Sequence, residues 1–144
     1  MNQELQQLLT ALREELKHYG ELLALLEQQR SSVNGSAPDR TFYATSAIQR
    51  QAEATLQARH ATETRRRALA RELRQDESAT VLQLAPLVPP QFRPLLQSLT
   101  EENHTLLQSV QWAARENHVL LSRSVASMEE FLDLLFDGEP PVAA

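Results

Sequence analysis

The sequence contains no cysteine, only three glycines, and aromatic side chains at 5% of its 144 residues. Without thiols, neither a disulfide framework nor a thiolate metal site can form, which fits a reducing compartment. So few glycines and aromatics argue against a sheet-rich globule, because turns and pleated surfaces draw on both. No window approaches the roughly 20 apolar residues of a membrane span. The opening MNQELQQLLTALREEL lacks a basic start followed by an apolar run, so neither membrane insertion nor an export signal is expected. A Gly-rich phosphate loop, a cysteine nucleophile and a Ser-His-Asp arrangement are also missing, so the chain reads as a soluble, cytoplasmic non-enzyme without a cofactor.

What is present is 42% apolar residues in a background of Leu, Gln, Glu, Ala and Arg, the mixture of long helices in a bundle or coiled coil. The length is that of one domain. The net charge of −5 is uneven: residues 1–39 carry about −3, 40–77 about +3 and 78–144 about −5. Arg65, Arg66, Arg67, Arg71 and Arg74 raise the question of nucleic acid, which needs a clustered basic face. Consecutive residues on a helix diverge by about 100° each, and Glu63, Glu72, Asp76 and Glu77 dilute the arginines. A solvated face that also pairs with acidic neighbouring helices is the simpler reading, and no nucleic-acid partner is expected.

Leu5, Leu9, Leu12, Leu16, Tyr19, Leu23, Leu26 and Val33 keep a four-three spacing broken only at Arg30, which predicts a helix over 3–33. Leu8, Leu22 and Leu25 widen the stripe enough to serve two neighbours, favouring three helices over a simple pair. Asn34 to Asp39 stop this helix and form a loop, with Asp39 expected to cap the next one. That second helix, about 40–80, shows Phe42, Ile48, Ala52, Leu56, Leu69, Leu73 and Val81 on one face. It is poor in large aliphatics and is expected to hold by close alanine packing and charge pairs. LAPLVPP at 84–90 breaks it with three prolines. Pro94 suits the first turn of a third helix over 91–136.

In that helix Glu-Asn-His, one residue and Leu-Leu occurs twice, fourteen positions apart, in EENHTLLQSVQWAARENHVLL. Fourteen is two heptads, so matching residues return to the same side of a packed helix. Glu101 and His104 have the i, i+3 spacing of carboxylate-bridged metal bundles, but Arg115 stands where the second copy would need a carboxylate. Glu15 and His18 repeat the spacing off the apolar stripe, where both are expected to face water. No metal site is predicted. Leu96, Leu99, Asn103, Leu106, Val110, Ala113, Asn117 and Leu120 run inward instead. Asn103 and Asn117 are therefore buried amides that set register at some cost in stability, so Asn117→Leu is expected to stabilise the chain. The fold expected is all-α: an elongated antiparallel three-helix bundle or helical hairpin with coiled-coil-like packing, one domain over 1–136, and a disordered tail over 137–144.

Beyond Leu120 the apolar positions shift by one, to Leu121, Val125, Met128, Leu132 and Leu135, with Phe131, Leu134 and Phe136 beside them. Glu129, Glu130 and Asp133 gather on the remaining surface. This end carries more apolar surface than a helix seam requires. Two readings stand: a partner site, or closure of the bundle against Phe42, Tyr43 and Ile48.

The segment Tyr19-Gly-Glu-Leu22-Leu23-Ala-Leu25-Leu26-Glu27-Gln-Gln-Arg30 resembles the first-helix signature of the FlgN-type flagellar export chaperones. Glu63-Thr-Arg65-Arg-Arg-Ala-Leu69 resembles a later Glu-x-x-Arg segment of that family. Asn103-x-x-Leu106-Leu107, Asn117-x-x-Leu120-Leu121 and the amphipathic end are similar too. Residues 44–62 depart from the pattern, being richer in Ala, Thr and Gln. The resemblance implies a small acidic cytoplasmic chaperone that binds hook–filament junction proteins before flagellar type III export, with components of the export apparatus as further partners. It places the client on the C-terminal helix, at Leu121, Val125, Met128, Phe131, Leu132, Leu135 and Phe136. The competing class is a coiled-coil scaffold that self-associates, as a homodimer for instance, through the same stripe.

Overall fold

The structure, a computed structural model, describes residues 2–135, with side chains from Gln3 to Arg123. Three long helices dominate: α1 (Asn2–Asn34), α2 (Pro38–Glu72) and α4 (Arg93–Leu135). Between the last two lie a one-turn helix α3 (Val81–Leu84) and 3-10 turns at Ala85–Leu87 and Pro90–Phe92. The described residues contain no strand, and the architecture is the expected all-α one. Phe136 and the expected tail at 137–144 lie outside the described residues.

The helix ends are set by backbone chemistry that composition only hinted at. At the end of α1, Ala37 N donates to Ser32 O and Ser36 N to Val33 O, closing a Schellman motif with Ser36 in the left-handed region at φ 53°. Ser36, rather than its neighbour Gly35, takes that conformation. Pro38 opens α2, and Asp39 lies in its first turn, where a carboxylate complements the helix dipole. It is not the cap expected of it: Ala37 holds that position and makes no side-chain bond.

The expected run of α2 to residue 80 is shortened to Glu72. Arg74 adopts φ 57°, and Gln75 N reaches back to Ala70 O in a second Schellman closure. Asp76 Oδ1 then accepts from both the amide and the hydroxyl of Ser78. Thr80 and Gln83 form a reciprocal capping box that starts α3. These local bonds end the helix well before the prolines. The proline-rich connection is also more than a breaker: Leu84, Ala85 and Val88 are buried and seal one end of the core with Leu5, Leu8, Leu69 and Leu96.

α1 is the central element, because the closest backbone approaches are those of α1 to α2 and of α1 to α4. Its broad apolar stripe therefore serves two neighbours, as its width implied. Two apolar clusters result: one around Leu5, Leu9, Leu12 and Leu99, and a smaller one around Tyr19, Leu22, Leu26 and Val110. Each fully buried leucine contributes about 1.5–3 kcal/mol. All of the fully buried large side chains belong to the first cluster, which concentrates the strongest packing at the end where the connection folds.

The inward face of α2 differs from the expectation. Leu56 is 56% exposed and Phe42 76% exposed, whereas Ala44, Thr55, Thr62, Leu69 and Ala70 are buried. Small side chains let α2 lie close against α1. Thr55 and Thr62 remain buried cheaply because each hydroxyl bonds the carbonyl four residues earlier, Gln51 O and Ala58 O. Leu69 is inward as expected, and Ile48 and Leu73 pack half-buried against the two clusters, so the misreading is confined to Phe42 and Leu56 and to the two buried threonines.

Candidate functional site

The repeated Asn residues act as rungs between α4 and α1. Asn103 Nδ2 donates to Leu12 O at 3.0 Å and Asn117 Nδ2 to Leu26 O at 2.7 Å. Both bonds span a sequence offset of 91, so the two-heptad repeat of α4 is matched step for step along α1 and the two helices run parallel. The rungs lie about 21 Å apart at 1.5 Å rise per residue. At the second rung Asn117 Nδ2 also reaches Gln29 Oε1 at 3.0 Å. Gln29 Nε2 in turn donates to Thr45 Oγ1 at 2.9 Å, and the Thr45 hydroxyl to Thr41 O. One line of polar groups thus crosses all three long helices.

The same offset sets the C-terminal end of α4 against its surroundings. It puts Asn34, the last residue of α1, level with Val125, while α4 continues to Leu135. The last ten residues of α4, about 15 Å of helix, thus have no residue of α1 beside them. Of the residues proposed from sequence as a partner surface, Leu121 is half-buried and level with Arg30 of α1, below the overhang. Val125, Met128, Phe131, Leu132 and Leu135 stand on α4, but their side chains are outside the described residues, as is Phe136 altogether. Phe42 and Tyr43, considered as the surface on which those residues would close, are exposed at the same end of the molecule.

The polar residues weighed for chemistry are engaged structurally. Glu15 is buried rather than facing water, and its carboxylate accepts the Tyr19 hydroxyl at 2.6 Å. Burial, the bond to Glu15 and its charge together push the Tyr19 phenol well above its ordinary value, against an opposing effect of Arg59. His18 turns to α2, where Gln51 Nε2 lies 2.9 Å from its Nδ1, so Glu15 and His18 have separate partners. Glu101, His104 and His118 are exposed.

The arginines are likewise divided. Arg65 donates to Gln7 Oε1 on α1, and Arg71 pairs with Glu77 at 3.2 Å. Arg66 grips Glu63 with two nitrogens and sends the third to the carbonyls of Glu77 and Ala79, strapping the connection onto α2. Its bond holds the Glu63 carboxyl below the usual range.

A feature that the sequence did not announce lies between α1 and α4, a groove of about 480 Å³. Leu23, Leu26 and Ala113 line it, Glu27 and Arg30 border it on α1, and Trp112 borders it on α4. Trp112 is 54% exposed and lies under the Arg30 guanidinium, 5.8 Å from its ring centre. Asn117 lines the same groove at 3% exposure, and its Oδ1 has no hydrogen-bond partner.

The described residues thus form an all-α bundle: an α-helical hairpin with a longer helix parallel to α1, joined to it by polar rungs. The profile of the FlgN protein family matches residues 1–141, and the chain belongs to that family, whose members are chaperones of flagellum biogenesis. Neither a curated protein nor a solved structure matches the chain. Among the described residues, no helix is long and apolar enough to cross a membrane.

Proposed function

We propose that the protein is a cytoplasmic export chaperone that holds the disordered terminal segment of a hook–filament junction protein along the C-terminal part of α4. The contact residues are Leu121, Val125, Met128, Phe131, Leu132, Leu135 and Phe136. The observation that carries this reading is the overhang: α4 outruns α1 over the stretch where the sequence supplies more apolar residues than a two-helix seam needs.

In this reading a client segment folds as an amphipathic helix against the stripe, taking the side that α1 occupies lower down. Each large apolar side chain removed from water contributes about 1.5–3 kcal/mol, and ordering of the client opposes it. Covering the client's own apolar residues prevents assembly before export, and the complex is then presented to the type III apparatus. Binding alone accomplishes this, without a catalytic group or cofactor.

The test is Met128→Glu combined with Leu132→Glu. Two carboxylates on the stripe cannot be desolvated without a large penalty. The variant should fail to capture a purified hook–filament junction protein while circular dichroism shows unchanged helicity. Loss of helicity and of the thermal transition would instead make the stripe part of the core. Undiminished capture would place the client elsewhere.

A further inference from the structure

We propose that the client site reaches past the stripe into an open trough between α2 and α4, so that the client is a helix running from the level of Leu135 down to that of Leu107. This rests on the client reading above and adds a second wall to it. Thr45, joined through Gln29 to Asn117, sets the level of α2 against α4. α2 runs antiparallel to α1, as the bonds from Gln51 to His18 and from Thr62 to Ala11 show, and so antiparallel to α4 as well. Counting from Thr45, Phe42 is then level with Leu120 and Leu121, Gln49 with Ala113 and Ala114, and Leu56 with Leu106 and Leu107. Phe42, Gln49 and Leu56 are seven residues apart on one side of α2, and Leu107, Ala114 and Leu121 seven apart on one side of α4. Ile48 of α2 and Leu107 of α4 both pack onto the second apolar cluster, which forms the floor of the trough with α1. The groove beside Trp112 lies on the other side of α4, since no residue of α2 lines it.

The two walls flank this opening without closing it. Phe42 is 76% and Leu56 56% exposed, Ala114 is exposed, and the close backbone approaches of both helices are to α1. Continuity identifies the occupant. Leu121, Met128 and Leu135 carry the α4 row onward at the same seven-residue step, so the trough wall and the client stripe are one register. Gln49, Gln111 and His118 stand between the apolar positions, and none is a carboxylate, a lining that suits the apolar face of an amphipathic helix. Length argues the same way. From Leu121 to Leu135 the stripe accommodates about 21 Å of client helix, a length at which helices are marginal in water. Extension to Leu107 doubles this to about 42 Å and brings Phe42 and Leu56 into the contact.

Leu56 and Ala114 are exposed, so a carboxylate at either position is compatible with the fold. In the full chain, Leu56→Glu and Ala114→Glu should each weaken capture of a purified hook–filament junction protein at least tenfold with helicity unchanged. Gln108→Glu, exposed on the far side of α4, should capture as the original chain does. Because the chain has no cysteine, Gln49→Cys labelled with an environment-sensitive dye reports on the trough directly, and its emission should shift to the blue as the client is added. Full capture by both trough variants, with capture lost in the Met128→Glu, Leu132→Glu variant, would overturn the trough and leave the stripe reading standing. Full capture by that stripe variant would overturn the stripe reading and this proposal with it. An equal loss from Gln108→Glu, or an unshifted dye with client bound, would also overturn the proposal.

Discussion

Asn117 and Gln29 meet at 3.0 Å in the buried seam between α4 and α1, and Gln29 passes the link on to Thr45 of α2. Asn103, one repeat earlier, has only the Leu12 carbonyl, which an α-helix already satisfies through its own backbone. The two asparagines therefore differ in what their removal leaves behind. Asn117→Leu strands the Gln29 oxygen in a buried position and should cost about 1–2 kcal/mol, reversing the stabilisation expected from the heptad pattern alone. Asn103→Leu strands no partner and should be neutral or stabilising by up to about 1 kcal/mol. Urea denaturation of both variants checks the contrast; equal effects would show that the line across the three helices adds nothing.

The buried Tyr19 hydroxyl and Glu15 carboxylate predict an alkaline limit. The Tyr19 phenol is raised in the folded state, chiefly by burial. Its contribution to stability is thus fully present below the ordinary tyrosine value near 10 and is lost as pH rises above it. In a Tyr43→Phe background, phenolate absorbance should grow only as helicity falls. Growth with helicity intact would show that the phenol is accessible. Tyr19→Phe, which removes the donor from a buried carboxylate, should cost about 1–3 kcal/mol at neutral pH.

Ser36 and Arg74 hold the left-handed positions that close α1 and α2. A side chain there costs about 1–2 kcal/mol, which glycine avoids while adding some entropy to the unfolded chain. Ser36→Gly and Arg74→Gly should each raise stability by about 0.5–1 kcal/mol, measured as a higher denaturation midpoint with the same slope. A loss of stability would mean that the side chains make contacts worth more than the relief of strain.

Arg66 joins Glu63 to the connection through the carbonyls of Glu77 and Ala79, each at 2.6 Å. Arg66→Ala should cost about 1–2 kcal/mol and speed amide exchange at residues 76–80, leaving the client stripe functional. Acid should act on the same segment. The bond from Arg66 lowers Glu63, and the Ser78 backbone bond lowers Asp76. Their contributions are present above the unfolded carboxylate values near 4 and disappear as pH falls through the lower folded ones. Protection of the amides at 76–80, relative to their intrinsic exchange rates, should therefore be lost first on acidification; a uniform loss of protection along the chain would contradict this.

The α1 and α4 seams were legible because their spacing is a backbone property. Leu5 to Leu26 and Leu96 to Leu120 return to one side of a helix whatever lies opposite, and Asn103 and Asn117 fall on that side. The inward face of α2 was less legible, because Thr55 and Thr62 are buried by satisfying their hydroxyls within their own turn, which hydrophobicity does not register. The proposed binding stripe from Leu121 onward rests on the sequence, as more apolar residues than a helix seam needs. The groove was not, since Leu23, Arg30, Trp112 and Asn117 carry no common sequence period.

By itself, then, the sequence determined the three long helices, the apolar faces of α1 and α4 and the positions of the two buried amides, since periodicity is a property of the chain. Only the tertiary structure decided where α2 stops, which partners those amides have, and how far α4 extends past α1. Those outcomes depend on carbonyls, caps and side chains up to 91 residues apart. Only folding brings such groups within hydrogen-bonding distance.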